Sequence, residues 1–209
     1  MKKGLRRLLR FLTVMIALTI SVSSQGAVTA AQQLNSAVAK WLRGDVTATF
    51  AYSGAAGKGT GTLKSSGTKF ALQSSVTSVW YNGSNMWTYS PSTKETTLVK
   101  PSASEVAESN PVAVLSGSAT GFSASFAKKQ TAGTSTIIMT PKSNKSGLKR
   151  VVVVLQASTL KPLKIDVTSA DGSRNVLTIK SIATGQKHSA ATFNYPSGKY
   201  PKVKVVDLR

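Results

Sequence analysis

From residue 29 onward the apolar positions of this chain follow two periods. Between Thr29 and Arg43, Ala31, Leu34, Val38, Trp41 and Leu42 recur at spacings of three and four, which predicts a helix with one apolar stripe, stopped by Gly44-Asp45. The period then drops to two. Val46, Ala48, Phe50 and Tyr52 share one face and Thr47 and Thr49 the other, the pattern of a half-buried antiparallel strand. Further strands are predicted at Lys58–Leu63, around Phe70 and Leu72, at Val76–Tyr81, Met86–Tyr89 and Lys94–Val99. After these come Phe122–Ala127, Thr134–Thr140, Leu148–Leu155, Leu163–Ser169, Asn175–Ile182 and Ala190–Tyr195. Val203 and Val205, alternating with Lys202 and Lys204, are suited to an edge. Strands at this spacing predict one large sheet, a barrel or a sandwich.

Turn chemistry divides the strands. Asn82-Gly83 supplies the positive φ of a two-residue hairpin loop between two aromatic strands, and Asp171-Gly172 does the same later. Gly59 and Gly61 interrupt the second strand, as expected where a strand bends or another group approaches the backbone closely. The middle of the chain breaks the β pattern. Ser102 with Glu105 has the spacing of a capping box, and Asn110-Pro111 starts a second short helical piece, Pro111 to Leu115. A short apolar helix inside an otherwise β chain has to cover something.

The first residues have a different composition. Lys2, Lys3, Arg6, Arg7 and Arg10 precede an apolar run from Phe11 to Val22, followed by small residues; this is the layout of a secretory signal peptide. Residues 1–27 are assigned to it, with cleavage between 27 and 30, and residues 28–209 to a single domain. The twelve-residue apolar run is short for a bilayer span. Without the five leading cations the chain carries 22 Lys and Arg against seven acids, a charge of +15. Lys58, Lys64, Lys69, Lys94, Lys100, Lys180, Lys187, Lys199, Lys202 and Lys204 are spread singly, and no long basic run or nucleic-acid motif appears, so nucleic acid is not expected as a partner. Attraction to acidic partners or anionic membrane surfaces is. There is no cysteine, which excludes disulfides and N-terminal lipidation on that residue.

Candidate chemistry is sparse. His188 is the one histidine, among polar neighbours, and no nucleophile or orienting carboxylate accompanies it. With no Cys and one His, neither a zinc site nor any other metal or cofactor site is expected. Gly57-Lys58-Gly59-Thr60 departs twice from the phosphate-loop pattern. An enzyme is not expected.

Several segments, in order along the chain, resemble the LolA family of periplasmic carriers for outer-membrane lipoproteins. They are the turn followed by Trp87-Thr88-Tyr89-Ser90-Pro91, then Thr140-Pro141-Lys142, Gly147-Leu148-Lys149, the Asp171-Gly172 turn, and Phe193-Asn194-Tyr195-Pro196-Ser197-Gly198. The resemblance implies a mainly β fold: an incompletely closed antiparallel β-barrel with an N-terminal helix and a short helical lid. It also implies a periplasmic carrier of lipoprotein acyl chains, acting as a monomer. An inner-membrane ABC transporter would be its donor, and an outer-membrane protein its acceptor. One departure stands out. Family members often carry an early Arg-Pro pair whose arginine latches the lid, whereas Leu63 to Phe70 here offers only Lys64 and Lys69.

On this resemblance a hollow interior would be lined by Phe50, Phe70, Leu72, Trp80 (or its neighbour Tyr81), Trp87, Phe122 and Ile138. Taken one at a time, each of these is read first as plain core, since most apolar strand residues simply pack. Leu34, Val38 and Trp41 on the helix, with Val112 and Leu115 in the insert, are the candidate lid. Two other readings stay open: a periplasmic regulator on the same fold that senses lipids or proteins, and a β interaction module with a filled core.

Overall fold

The computed structural model describes residues 27–54, 57–102, 105–106, 109–110, 115, 121–143 and 147–209. Helix α1 spans Ala30–Trp41. Thr29 caps it: the Thr29 Oγ1 accepts from the Gln32 amide at 3.2 Å, while Gln32 Oε1 accepts from the Thr29 amide at 2.8 Å. This reciprocal pair satisfies two N–H groups left open by the first turn. Ala30, Leu34 and Ala37 form its buried stripe.

Twelve strands follow. They are β1 (Asp45–Gly54), β2 (Gly57–Ser66), β3 (Lys69–Ser74), β4 (Ser78–Tyr81), β5 (Met86–Ser90) and β6 (Glu95–Val99), then β7 (Phe122–Phe126), β8 (Thr134–Pro141), β9 (Leu148–Gln156), β10 (Pro162–Ser169), β11 (Arg174–Thr184) and β12 (Lys204–Asp207). They form one sheet in the order β12-β6-β5-β4-β3-β2-β1-β11-β10-β9-β8-β7. Neighbours are antiparallel throughout except β12, which lies parallel to β6. The two ends of the order are not paired with each other, so the sheet is open.

It is nevertheless curled. Phe70, Leu72 and Met86 from one arm share a single buried cluster with Ile137, Met139, Val153 and Ile165 from the other. A flat sheet cannot bring β3 against β9, so one face has become an interior. The alternation is strict there. Val151, Val153 and Leu155 are buried on β9, while Val152 and Val154 between them are half-exposed on the outside. At Gly61 the backbone passes so close to Phe50 of β1 that a Cβ would meet the ring at 2.5 Å and the Gln73 carbonyl at 2.8 Å. That explains the glycine in this strand.

Two sequence expectations need correction. Tyr81 pairs with Met86, so the Asn82-Gly83 hairpin has a four-residue loop rather than two. The Asn82 carboxamide oxygen accepts from the amides of Ser84 and Asn85, and Gly83 takes φ +100°. A side chain that folds onto its own backbone extends the turn. Second, Ala190–Tyr195 is not a strand: Ala190–Phe193 is a 3-10 turn, followed by another at Ser197–Lys199. This tail straps across the outer face of β3 to β6. Phe193 is buried against Trp80 and Ala71, and Trp87, Tyr89, Tyr195 and Tyr200 pack around them. Tyr195 and Tyr200 stack with their centroids 5.6 Å apart. His188 is tied down rather than solvated. Its Nε2 donates to the Val46 carbonyl at 3.1 Å, and its ring meets Phe193 edge-on.

Candidate functional site

The interior is not filled along its whole length. At one end α1 plugs the barrel: Trp41 Nε1 donates to the Thr159 carbonyl in the β9–β10 turn at 3.0 Å, and the Ser135 hydroxyl at the start of β8 donates to Gln33 Oε1. Toward the opposite end, where β3 turns into β4 and β10 into β11, a cavity of about 690 Å³ remains. That volume is in the range of small-molecule and lipid pockets.

Its walls come from both arms. Phe50 and Tyr52 of β1, Leu72 of β3, Val79 of β4, Val167 of β10 and Leu177 of β11 line the depth. The rim is polar and carries little charge: Ser74, Thr77, Thr88, Ser169 and Asn175 contribute, with Asp171 the one acidic or basic residue among the described residues that line it. The Asp171 carboxylate is held below its usual pKa by accepting from Ser173 in its own turn, and is turned to that role. The Ser74 hydroxyl donates to the Thr77 carbonyl and accepts from its amide, which rigidifies the β3–β4 turn, and Tyr52 hydrogen-bonds Ser75 at 3.0 Å. The mouth is therefore preshaped. It offers apolar walls and neutral hydrogen-bonding groups, without a nucleophile–base pair. Among the described residues no cluster of His, Cys, Asp and Glu is arranged to hold a metal.

The sequence-derived candidates separate into three groups. Phe50 and Leu72 line the cavity. Phe70 is fully buried in the same core and Phe122 packs against it, but neither reaches the cavity wall. Trp80, Trp87 and Ile138 face the wrong way. Trp80 and Trp87 lie under the tail on the outer face, and Ile138 is half-exposed between the inward Ile137 and Met139. The reason is strand parity: in Val79-Trp80-Tyr81 the flanking residues point in, and Tyr81 contacts Phe70. The sequence reading missed Tyr52, Val79, Leu148, Val167 and Leu177 as wall residues. Carrying the alternation from Phe70 and Leu72 across the sheet would have found Val79.

The lid candidates also move. Leu34 is buried in the core and Val38 packs against it, but α1 with Trp41 closes the end away from the cavity and does not border it. In the insert Leu115 is 1% exposed within the core and Ser109 borders the cavity; Val112 lies outside the described residues. The predicted Ser102–Glu105 cap forms. Glu105 accepts from the Ser102 amide at 2.7 Å, which pulls its pKa down. Lys64 and Lys69 share the outer face with Ala71, so neither takes the place of an inward latch.

The curled, open sheet is stoppered at one end by a helix and is hollow and largely apolar at the other. A family model described as outer membrane lipoprotein carrier protein LolA matches residues 20–173, and the chain belongs to that family. One solved structure shares the fold, and others are more distantly similar. An uncharacterised conserved protein from Thermus thermophilus is 12% identical with a TM-score of 0.56, over 85% of this chain and 98% of that one. A LolA superfamily protein from Nitrosomonas europaea is also 12% identical, with a TM-score of 0.46 over 81% and 99%. The MucA/MucB complex of Pseudomonas aeruginosa contains a chain 14% identical, with a TM-score of 0.40 over 80% and 61%. No curated protein matches the chain by sequence.

Proposed function

We propose that this protein is a periplasmic, non-enzymatic carrier that shelters the acyl chains of lipoproteins on their way from the inner to the outer membrane. The observation that carries this reading is the apolar cavity of about 690 Å³ between the two arms of the sheet. A sixteen-carbon chain loses on the order of 12 kcal/mol when exposed to water, at about 0.8 kcal/mol per CH₂. Such a chain does not leave a membrane without a comparable apolar refuge, and Phe50, Leu72, Val79, Val167 and Leu177 supply one. In this reading the insert around Ser109 and Leu115 is its cover. The chain has no phosphate loop, so loading draws its energy from a membrane donor of the ABC transporter type, and delivery goes to an outer-membrane acceptor.

Uptake of a fluorescent fatty acid by the purified chain tests this. Saturable uptake that falls about tenfold or more in Thr88→Trp, which fills the cavity from its rim, supports the carrier. Uptake indifferent to that change removes the cavity from the account. A lipid-responsive regulator would use the same cavity, and it separates from a carrier by failing to pass bound chains on to acceptor vesicles.

A further inference from the structure

A second, smaller pocket lies on the opposite face of the sheet, where the C-terminal strap crosses β2 and β3. Its volume is about 220 Å³. Trp80 and Ala71 belong to its floor, Thr62, Lys64 and Gln73 to one wall, and Asn194, Pro196 and Lys199 to the other. We propose that this pocket is a binding site for a small hydroxylated organic anion, a sugar acid or a sugar phosphate.

The argument begins with charge. Lys64 rises from β2 and Lys199 from the strap, so two cations converge from separate elements. No acidic residue lines the pocket. The described acids are placed elsewhere: Asp166 on Arg174, Asp207 on Arg209, Glu95 near Lys204, Glu105 on Ser102, Asp171 in its own turn and Asp45 at the start of β1. Neither lysine takes part in any ion pair among the described residues. An anion between them would be the first countercharge either one meets, and charge-assisted hydrogen bonds are about twice as strong as neutral ones.

The neutral groups set the rest of the ligand. Gln73 and Thr62 line the pocket, and among the described residues neither side chain has a hydrogen-bond partner, which leaves a carboxamide and a hydroxyl for hydroxyl groups. The walls are fixed in advance. Asn82 Nδ2 donates to Asn194 Oδ1 at 2.8 Å, Asn194 Nδ2 donates to the Ala190 carbonyl, and the His188–Val46 bond and buried Phe193 pin the strap. Preorganised walls lower the ordering cost of binding. The strap forms one wall of a recess, which favours a free small molecule over the flat surface of a membrane. The site shares no residue with the acyl cavity.

Amide chemical shifts of the mature chain, titrated with galacturonate and glucose 6-phosphate and, as controls, with galactose and glucose, test the assignment. The expected result is saturable shifts confined to Thr62, Lys64, Ala71, Gln73, Trp80 and the strap amides from Ala191 to Lys199 (Pro196, which has no N–H, apart), seen with the anions and not with the neutral sugars. Lys64→Ala and Lys199→Ala should each weaken binding about tenfold, and Gln73→Leu should weaken the sugar anions more than inorganic phosphate. Both lysines are exposed, so these variants keep the fold, checked by an unchanged melting temperature and unchanged fatty-acid uptake. Absence of saturable shifts, equal binding of neutral sugars, or full affinity in the Lys64→Ala/Lys199→Ala double variant overturns the proposal.

Discussion

The same strands carry two apolar clusters back to back, and the two are built differently. On the outer face of β3 to β5, Trp80, Trp87, Tyr89, Phe193, Tyr195 and Tyr200 fill their space with rings; four pairs lie between 4.6 and 5.9 Å apart. On the inner face Phe50 and Tyr52 are interspersed with smaller side chains (Leu72, Val79, Thr88, Val167, Leu177), and a void remains. Protein interiors close-pack by default, because each void forfeits dispersion contacts. The filled cluster therefore acts as a clamp for the tail, and the hollow one leaves the room that the proposed acyl ligand would occupy.

The comparison is broken most directly at the clamp. Trp80→Ala should cost roughly 3–5 kcal/mol, read as a lower midpoint in urea, because it empties the centre of a closed aromatic cluster. At low temperature the variant should still take up acyl dye, since its loss lies on the other face. Loss of uptake in a fully folded Trp80→Ala protein would show that the two faces are coupled.

Next in size is Gly61→Val. Its Cβ meets the Phe50 ring and the backbone carbonyl of Gln73, so a cost of about 1–3 kcal/mol is expected, with Phe50 pushed from the cavity wall. Unlike Trp80→Ala, it should lower uptake and stability together.

A smaller effect concerns the outer face of the other arm. Asp166 is only 8% exposed, and Arg174 donates to both its oxygens from Nε and Nη2. These bonds, more than the charge of Lys164, hold its carboxyl below the usual value of 3.8. A lowered folded-state pKa means that the stabilisation is complete above the unfolded carboxylate range and is lost as pH falls through the depressed value. Asp166→Asn should cost about 1–2 kcal/mol near neutral pH, discounted because Arg174 is largely exposed, and should flatten the decline of stability below about pH 4. A thermal-melt series from pH 7 to pH 2 on both proteins checks the slope. Thr88→Trp, the mildest for stability, should change the unfolding free energy by under about 1 kcal/mol, because it adds volume into a void.

Much of the fold was legible because it is written in alternation. Eleven of the twelve predicted strand segments appear in the sheet, and the tail around Val205 pairs as an edge. Ala190–Tyr195 failed because Ala191, Phe193 and Tyr195 alternate as a strand would; buried Phe193 serves a 3-10 turn instead. The cavity was legible as a property of the barrel but not residue by residue. Ring size drew attention to Trp80, yet facing is set by pairing register, and the smaller Val79 is the one turned inward. The plugging role of α1 depends on contacts far along the chain, such as Trp41 with Thr159, which no local pattern announces.

The central claim is that the hollow face holds hydrocarbon. Native mass spectrometry of the chain, exported and purified from a bacterial periplasm, tests it most directly. The account predicts bound mass that organic extraction identifies as acyl lipid, and its absence in Thr88→Trp. A bare polypeptide mass under gentle conditions, with no capture of added acyl chains, would contradict it.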